Sequence, residues 1–447
     1  MASSHTLDLT KGPITKKLLV FVLPILLSAV LQNLYTIADR IVVGRFVSDE
    51  ALAAVGATGS PIGLLLNLVN GISIGVNVVC ANLKGAQKLK TLEKCMHTVI
   101  LLSVICGVTM ALIGILLARP ILQLMSTPAA VLDGAVLYMS LYFAGVPALL
   151  LYNFGAGILR AYGDTKRPMY ILTLTGILNV GLNLFFVVVC HVGVAGVALA
   201  TMAAQVVSAI AVMWILFNKK GEYKLSVKKL KLHKDQSQNI LRVGIPCGFN
   251  GIMFNLANVL LQSSINGFDS VAIVAGNTVA NDVTNFNYLV IYAFNAGVVS
   301  FAGQCYGARE YKRIDKLAGA ALLWSTSILL VMATVMTIFA REIIGLFNSD
   351  PAVVNAGYFR TVLCVWTYML YTPSEIFTGC SRGMGHTTAP TIMNLLGVCL
   401  PRIIWILLIF PLWPIPEFLY LCMPISWVLS ALLQMLHYFH IRKRLPK

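Results

Sequence analysis

Long apolar runs separated by short polar connections set the rhythm of this chain. They recur at about residues 17–45, 51–80, 94–118, 132–159, 168–191, 193–217, 239–266, 270–304, 316–340, 352–378, 390–412 and 418–440. A helix that crosses the hydrocarbon core of a bilayer needs about 20 apolar residues, and the runs meet that length. Twelve membrane-spanning helices are therefore predicted, an all-α polytopic fold. No short apolar region with a small-residue cleavage site precedes the first run, so it reads as a retained helix and not a signal peptide.

Polar residues interrupt the runs with helical spacing. In the first run Ser28, Gln32, Tyr35 and Asp39 follow one another at steps of 4, 3 and 4, which puts them on one face, and Pro24 lies in the same run. A carboxylate at bilayer depth costs about 2.5–3.5 kcal/mol on insertion scales, which marks Asp39 as a functional candidate facing an aqueous cavity. The alternative is a place near the end of a tilted helix, paired with Arg40 or Arg45 among the headgroups. In the eighth run Asn277, Asn281, Thr284, Tyr288, Tyr292 and Asn295 repeat at steps of 4, 3, 4, 4 and 3, with Asp282 beside them. Some of these can be interhelical glue. Six on one face favours a cavity lining, with Asn281, Asp282, Tyr288 and Tyr292 as candidate substrate contacts beside Gln32 and Tyr35.

The fifth run carries Thr175, Asn179 and Asn183 on one face, the sixth carries Thr201 and Gln205, and Asn153 closes the fourth. Glu375 in the tenth run and Arg402 in the eleventh are the second half's charges at membrane depth. An ion pair between them is expected, because an unpaired buried charge is costly.

The pattern repeats. Pro24 matches Pro246, Gly85-Ala86 matches Gly307-Ala308, and RAYGDTKRP from Arg160 matches RGMGHTTAP from Arg382, each at an offset of 222. Gly56 matches Gly276 at 220, a small insertion in one half. One nearly constant offset indicates duplication. It predicts a first six-helix bundle at residues 13–217, a cytoplasmic linker at 218–238 and a second six-helix bundle at 239–440. An even number of spans per half makes the repeats parallel, related by an axis along the membrane normal. The chemistry of the halves has diverged: Glu375 stands at the position of Asn153, and Asp39 maps near the uncharged Leu261.

Composition agrees with a membrane solvent. Of 447 residues 58% are hydrophobic and 11% charged, far from a soluble domain. The net charge of +16 does not point to nucleic acid, because of where it falls. The amino-terminal tail, the connections after even-numbered spans and the carboxy-terminal tail hold 27 of the 33 basic residues. The positive-inside rule then places both termini in the cytoplasm of a multi-pass cell-membrane protein. The seven lysines between Asn218 and Gln238 read as a solvated linker before a lipid-headgroup patch. The ten cysteines make no C-x-x-C pair and no metal-like spacing, and no nucleophile elbow, phosphate loop or H-E-x-x-H occurs. No metal, no cofactor and no enzyme activity are expected.

In LYTIADRIVVGRF, ALAAVGATG, the Gly-Ala loop after span 2, LRAYGDTKRP and SRGMGHTTAP the chain resembles the multidrug and toxic compound extrusion (MATE) family, over about residues 13–440. The resemblance implies two six-helix bundles in a V that alternate between inward and outward openings, acting as a monomer in the bilayer. It implies a cation-coupled antiporter that exports amphipathic or cationic small molecules against H⁺ or Na⁺. In the family's bacterial DNA-damage-inducible-like branch an acid in the first helix, near a proline kink, binds the coupling ion. Asp39 and Pro24 match that pattern, with Asn179, Asn183 and Thr201 as the neighbouring oxygen-bearing groups; Asn153, from the reading of the residues, joins them as a cation-coupling candidate. Asn183 departs from a place that often holds Asp, which leaves H⁺ or Na⁺ open. Glu375 resembles the span-10 acid of many members. The acid that another branch carries in span 7 is missing, and Asn255 and Asn258 are the nearest polar groups. The rivals are a lipid-linked oligosaccharide flippase of the same superfamily, whose cavity would be basic, a membrane-embedded enzyme, and a receptor-like scaffold.

Overall fold

The computed structural model describes residues 6–218, 225–348 and 350–446, apart from the side chains of Arg40, Asp49 and Leu52. Residues 219–224 of the expected linker lie outside the described residues. The described chain is helical and without strands. Its elements are α1 (Ile14–Phe46), α2 (Asp49–Gly85), α3 (Leu89–Leu124), α4 (Ala129–Ala161), α5 (Lys166–Leu184), α6 (Val194–Asn218), α7 (Lys234–Asn266), α8 (Val271–Gly307), α9 (Tyr311–Ile338), α10 (Ala340–Gly345), α11 (Pro351–Gly383), α12 (Thr388–Asn394), α13 (Leu400–Ile404), α14 (Pro416–Tyr420) and α15 (Cys422–Arg444). A π-helical turn at Phe185–Val189 extends α5, and two more, Leu395–Cys399 and Trp405–Ile409, flank α13.

Eleven helical stretches among the described residues are long and apolar enough to cross a membrane, with α12 to Leu412 and α14–α15 each counting as one. The tenth expected span, α11, has the length at 33 residues, but Arg360, Glu375 and Arg382 lie along it and it does not reach the same hydropathy. Several helices exceed the bilayer core: α2, at 37 residues, is about 55 Å long at 1.5 Å per residue.

The repeated motifs are helix stops. Gly163 N–H donates to Arg160 O at 2.9 Å and Asp164 N–H to Leu159 O at 2.9 Å, the two bonds that close a helix with a left-handed residue. Gly385 and His386 do the same onto Arg382 and Ser381 at 2.8 and 3.0 Å. Both glycines have positive φ, +85° and +88°. Gln87 and Arg309 end α2 and α8 in the same way at φ 55° and 62°, and Ser48 and Ser270 cap those helices' starts. Each pair is 222 residues apart, as in 309 − 87. The duplication is therefore one of caps and turns as well as apolar faces.

The chain packs as two compact units. The first comprises residues up to Asp8 and Leu27–Gly248, the second Leu9–Leu26 and Phe249–Lys447. The crossing points also stand 222 apart (248 − 26), two residues after Pro24 and Pro246. Each unit thus takes the first half of a helix from the opposite repeat. Glycines explain the tight seating: a Cβ on Gly75 of α2 would lie 2.5 Å from Ile240 O of α7, in the first unit. In the second, a Cβ on Gly297 of α8 would lie 2.5 Å from Val22 Cγ2 of α1. Gly75 and Gly297 are themselves a repeat pair (297 − 75 = 222).

The core of the first unit is α2, α3, α4 and α6, around Val76, Phe154, Met139 and Val212. In the second, α8 and α11 run close because Gly276 meets Gly357: a Cβ on Gly276 would lie 2.7 Å from Gly357 N. Apart from Cys106 and Cys190 the cysteines are buried free thiols, in keeping with their reading as small core residues.

Candidate functional site

In the first unit the polar faces of α1, α5 and α6 meet. Asn183, fully buried, donates its amide N–H to the half-buried Asp39 carboxylate and to Asn179 Oδ1, the latter at 3.4 Å. Asn179, 7% exposed, donates to Thr201 Oγ1 at 3.4 Å. The helical step of four that joins Asn179 to Asn183 is what lets one face of α5 serve both neighbours. Arg45 makes no ion pair with Asp39 among the described residues. The carboxylate is held by a neutral amide. Asn183 Oδ1 is buried without a hydrogen-bond partner, so the cluster has a spare oxygen.

The other first-unit candidates fall around this cluster unequally. Tyr35 donates its hydroxyl to Thr173 O at 3.1 Å, and its ring presses on Gly176, where a Cβ would be 1.8 Å away. Gln32 is exposed. Thr175 turns to Ser208 of α6, whose Oγ donates to it at 2.9 Å. Asn153 donates to Leu149 O of its own helix at 2.9 Å, and its carbonyl accepts from Ser73 at 2.9 Å. Among the described residues it makes no hydrogen bond to Asp39, Asn179, Asn183 or Thr201. Pro24 sits within an unbroken α1.

In the second unit the expected Glu375–Arg402 pair is not found among the described residues. Each finds neutral partners on its own side. Glu375 accepts from Asn295 Nδ2 at 2.9 Å and from Tyr371 Oη at 2.7 Å. Arg402, 1% exposed, donates to Asn258 Oδ1 at 2.9 Å and to Ser426 Oγ at 3.2 Å, with its guanidinium 5.3 Å from the Phe254 ring centre. Hydrogen bonds and a π face replace the counter-ion.

The polar face of α8 divides. Asn277 bonds Gln262 at 2.9 Å, Thr284 bonds Ala280 O at 2.8 Å and Asn295 bonds Glu375, so these three buried residues join helices or cap carbonyls and do not line a cavity. Asn281, Asp282 and Tyr292 are exposed and Tyr288 is half-buried. Sequence reasoning missed Arg360, which is 4% exposed, donates to Asn277 O and to Asn281 Oδ1 (3.2 Å), and lies over Tyr420. Its step of four residues to Cys364, on the buried face of α11, was the available signal.

A duplicated, all-helical membrane-spanning fold with a polar cluster inside one unit is the architecture of a transporter. The chain belongs to the MatE family, whose model matches it twice, over residues 24–185 and 246–407, segments 222 residues apart (246 − 24). It is 26% identical over 396 residues to the probable multidrug resistance protein YoeA of Bacillus subtilis, covering 87% of this chain and 85% of that one. It is 24% identical over 402 residues to the multidrug export protein MepA of Staphylococcus aureus, covering 89% and 88%. A solved outward-facing structure of a multidrug resistance MATE family transporter of the MOP superfamily matches its fold with a TM-score of 0.91 at 22% identity, over 100% of this chain and 99% of that one.

Proposed function

We propose that this MATE transporter is a secondary antiporter that exports amphipathic or cationic small molecules in exchange for H⁺ or Na⁺ entering at Asp39. The observation that carries the reading is the Asp39–Asn183–Asn179–Thr201 cluster, a half-buried acid with neutral oxygen-bearing neighbours and a spare amide oxygen on Asn183. Names of the relatives YoeA and MepA support the substrate class.

The chemistry follows from hydrogen-bond valence. A carboxylate on Asp39 accepts the Asn183 N–H, as it does here. Once protonated, Asp39 can instead donate, and half a turn of the Asn183 amide presents its oxygen to that proton. A Na⁺ ion would draw on the same oxygens, with Asp39 supplying the negative charge and Asn183 Oδ1, Asn179 Oδ1 and Thr201 Oγ1 the dipoles. Either cation rewrites the contacts between α1 and α5. Transport is then linkage: cation and substrate favour opposite conformations through contacts that differ between them. Pro24 removes a backbone donor within α1 and makes that helix the element whose bend responds. Gln32 and Tyr35 in the first unit and Asn281, Asp282, Tyr288 and Tyr292 in the second are the proposed substrate contacts. The protein is read as a monomer in the cell membrane with both termini in the cytoplasm.

Dye efflux from energised vesicles, with H⁺ and Na⁺ gradients imposed separately, tests the reading. Efflux driven by neither gradient would overturn it.

A further inference from the structure

The Asp39 cluster has a counterpart in the second unit with its charge reversed. Asp39 on α1 and Asn183 on α5 are 144 residues apart (183 − 39), and their side chains meet. Asn258 on α7 and Arg402 on α13 are also 144 apart (402 − 258), and their side chains meet at 2.9 Å. Under the 222-residue repeat α7 corresponds to α1, and the span that contains α12 and α13 corresponds to α5. Asn258 then falls on Thr36 (258 − 222 = 36) and Arg402 on Val180 (402 − 222 = 180). Both partners are displaced by three residues, about one helical turn, in the same direction from Asp39 and Asn183.

A third helix completes each cluster. Asn179 reaches Thr201 of α6 at 3.4 Å in the first unit, and Arg402 reaches Ser426 of α15 at 3.2 Å in the second. A π-helical turn adjoins each: Phe185–Val189 begins two residues after Asn183, and Arg402 lies between two such turns. Such turns re-aim a helix face locally and recur at functional sites.

What faces Arg402 is chemically a cation site. An amide oxygen, a hydroxyl oxygen and the Phe254 ring surround it, and no carboxylate of the described residues lies within ion-pair distance. A buried guanidinium held by neutral groups alone is a costly way to fasten helices that an apolar pair would fasten as well. We propose that the Arg402 guanidinium is a built-in cation, filling permanently in the second unit the kind of place that an exchangeable cation takes in the first. Its consequence, which rests on the reading of Asp39 as the coupling acid, is that only the first unit exchanges cation with solution, one site per chain.

The test uses purified full-length protein in detergent and in proteoliposomes. Arg402→Ala lowers the Tm, and millimolar ethylguanidinium chloride recovers half or more of the loss, where equal sodium chloride does not and the wild type gains nothing. Absence of that variant-specific recovery overturns the proposal. Asn258→Asp with Arg402 retained keeps the test open if Arg402→Ala does not fold. A carboxylate beside a resident cation raises the Tm, and an unchanged or lower Tm overturns the proposal. For the consequence, Arg402→Asn combined with Asn258→Asp rebuilds an acid–amide pair, and cations exchanged per substrate rise from one to two. An unchanged ratio overturns the one-site consequence. Failure of the Asp39 reading shows separately, as uphill export that survives Asp39→Asn, and it leaves the ethylguanidinium result standing.

Discussion

Asn295 of α8 donates to both the backbone carbonyl and the carboxylate of Glu375 on α11, at 2.8 and 2.9 Å. One amide therefore fixes where the second unit's acid points, and Tyr371, one turn earlier on α11, holds the other carboxylate oxygen. Removing the amide with Asn295→Ala strands a partly buried acid and is expected to cost about 1–3 kcal/mol, the penalty of an unsatisfied polar group. Tyr371→Phe deletes one of two donors and is expected to cost about 1 kcal/mol. Thermal unfolding of the purified variants measures both, and equal stabilities would mean that Glu375 is not held by Asn295.

Asp39→Asn keeps the shape of the side chain and removes its charge. Folding and membrane insertion are expected to stay at wild-type levels, while accumulation of dye against a gradient is lost. Vesicle efflux at matched expression is the check. Persistence of uphill export would move the coupling role to Glu375.

Asn183→Asp adds a second carboxylate to a cluster whose Asn183 oxygen already lacks a partner. Two acids sharing neutral oxygens favour a bound cation over two buried negative charges. The expected outcome is efflux that depends more steeply on Na⁺ than in the wild type, read from initial rates across a sodium series at constant pH.

Gly163 and Gly385 are equivalent in the repeat and share a left-handed backbone, yet their surroundings differ. A Cβ at Gly163 would lie 2.1 Å from Leu7 O, whereas at Gly385 nothing stands within 4 Å. Gly385→Ala meets only the conformational penalty of about 1–2 kcal/mol. Gly163→Ala meets that and a backbone clash, so it also displaces the Leu7 N–H bond to Gly163 O of 3.2 Å. The Tm of Gly163→Ala is expected to fall further than that of Gly385→Ala.

Pro24→Ala restores a backbone N–H within α1 and removes the ring from the preceding turn. The helix is expected to become straighter and more stable, with export lowered more than substrate binding. Binding and efflux measured on the same preparation separate the two, and wild-type efflux would mean that Pro24 has no part in coupling.

Much of this protein was already determined by its one-dimensional pattern. A bilayer offers no hydrogen bonds to backbone, so long apolar runs must be helices, and eleven of the twelve expected spans are long and apolar enough to cross a membrane. The repeat was legible because left-handed stops and serine caps demand particular residue types at fixed places, as at Gly163 and Gly385. Asp39, Asn179 and Asn183 stood out because polar groups in such runs are expensive and their spacing shows one face. Which face meets which was decided only in three dimensions. Glu375 and Arg402 look like natural partners along the chain, but each already has neutral donors or acceptors at hand, Asn295 and Tyr371 for one and Asn258 and Ser426 for the other. Half of the α8 polar face likewise went to contacts between helices or to its own helix's carbonyls. The exchange of half-helices at Leu26 and Gly248 had no signature in hydropathy, since an apolar face reads the same whichever partner covers it. Close approach settles that choice, through glycines such as Gly75 and Gly297 whose missing Cβ matters only when another helix arrives.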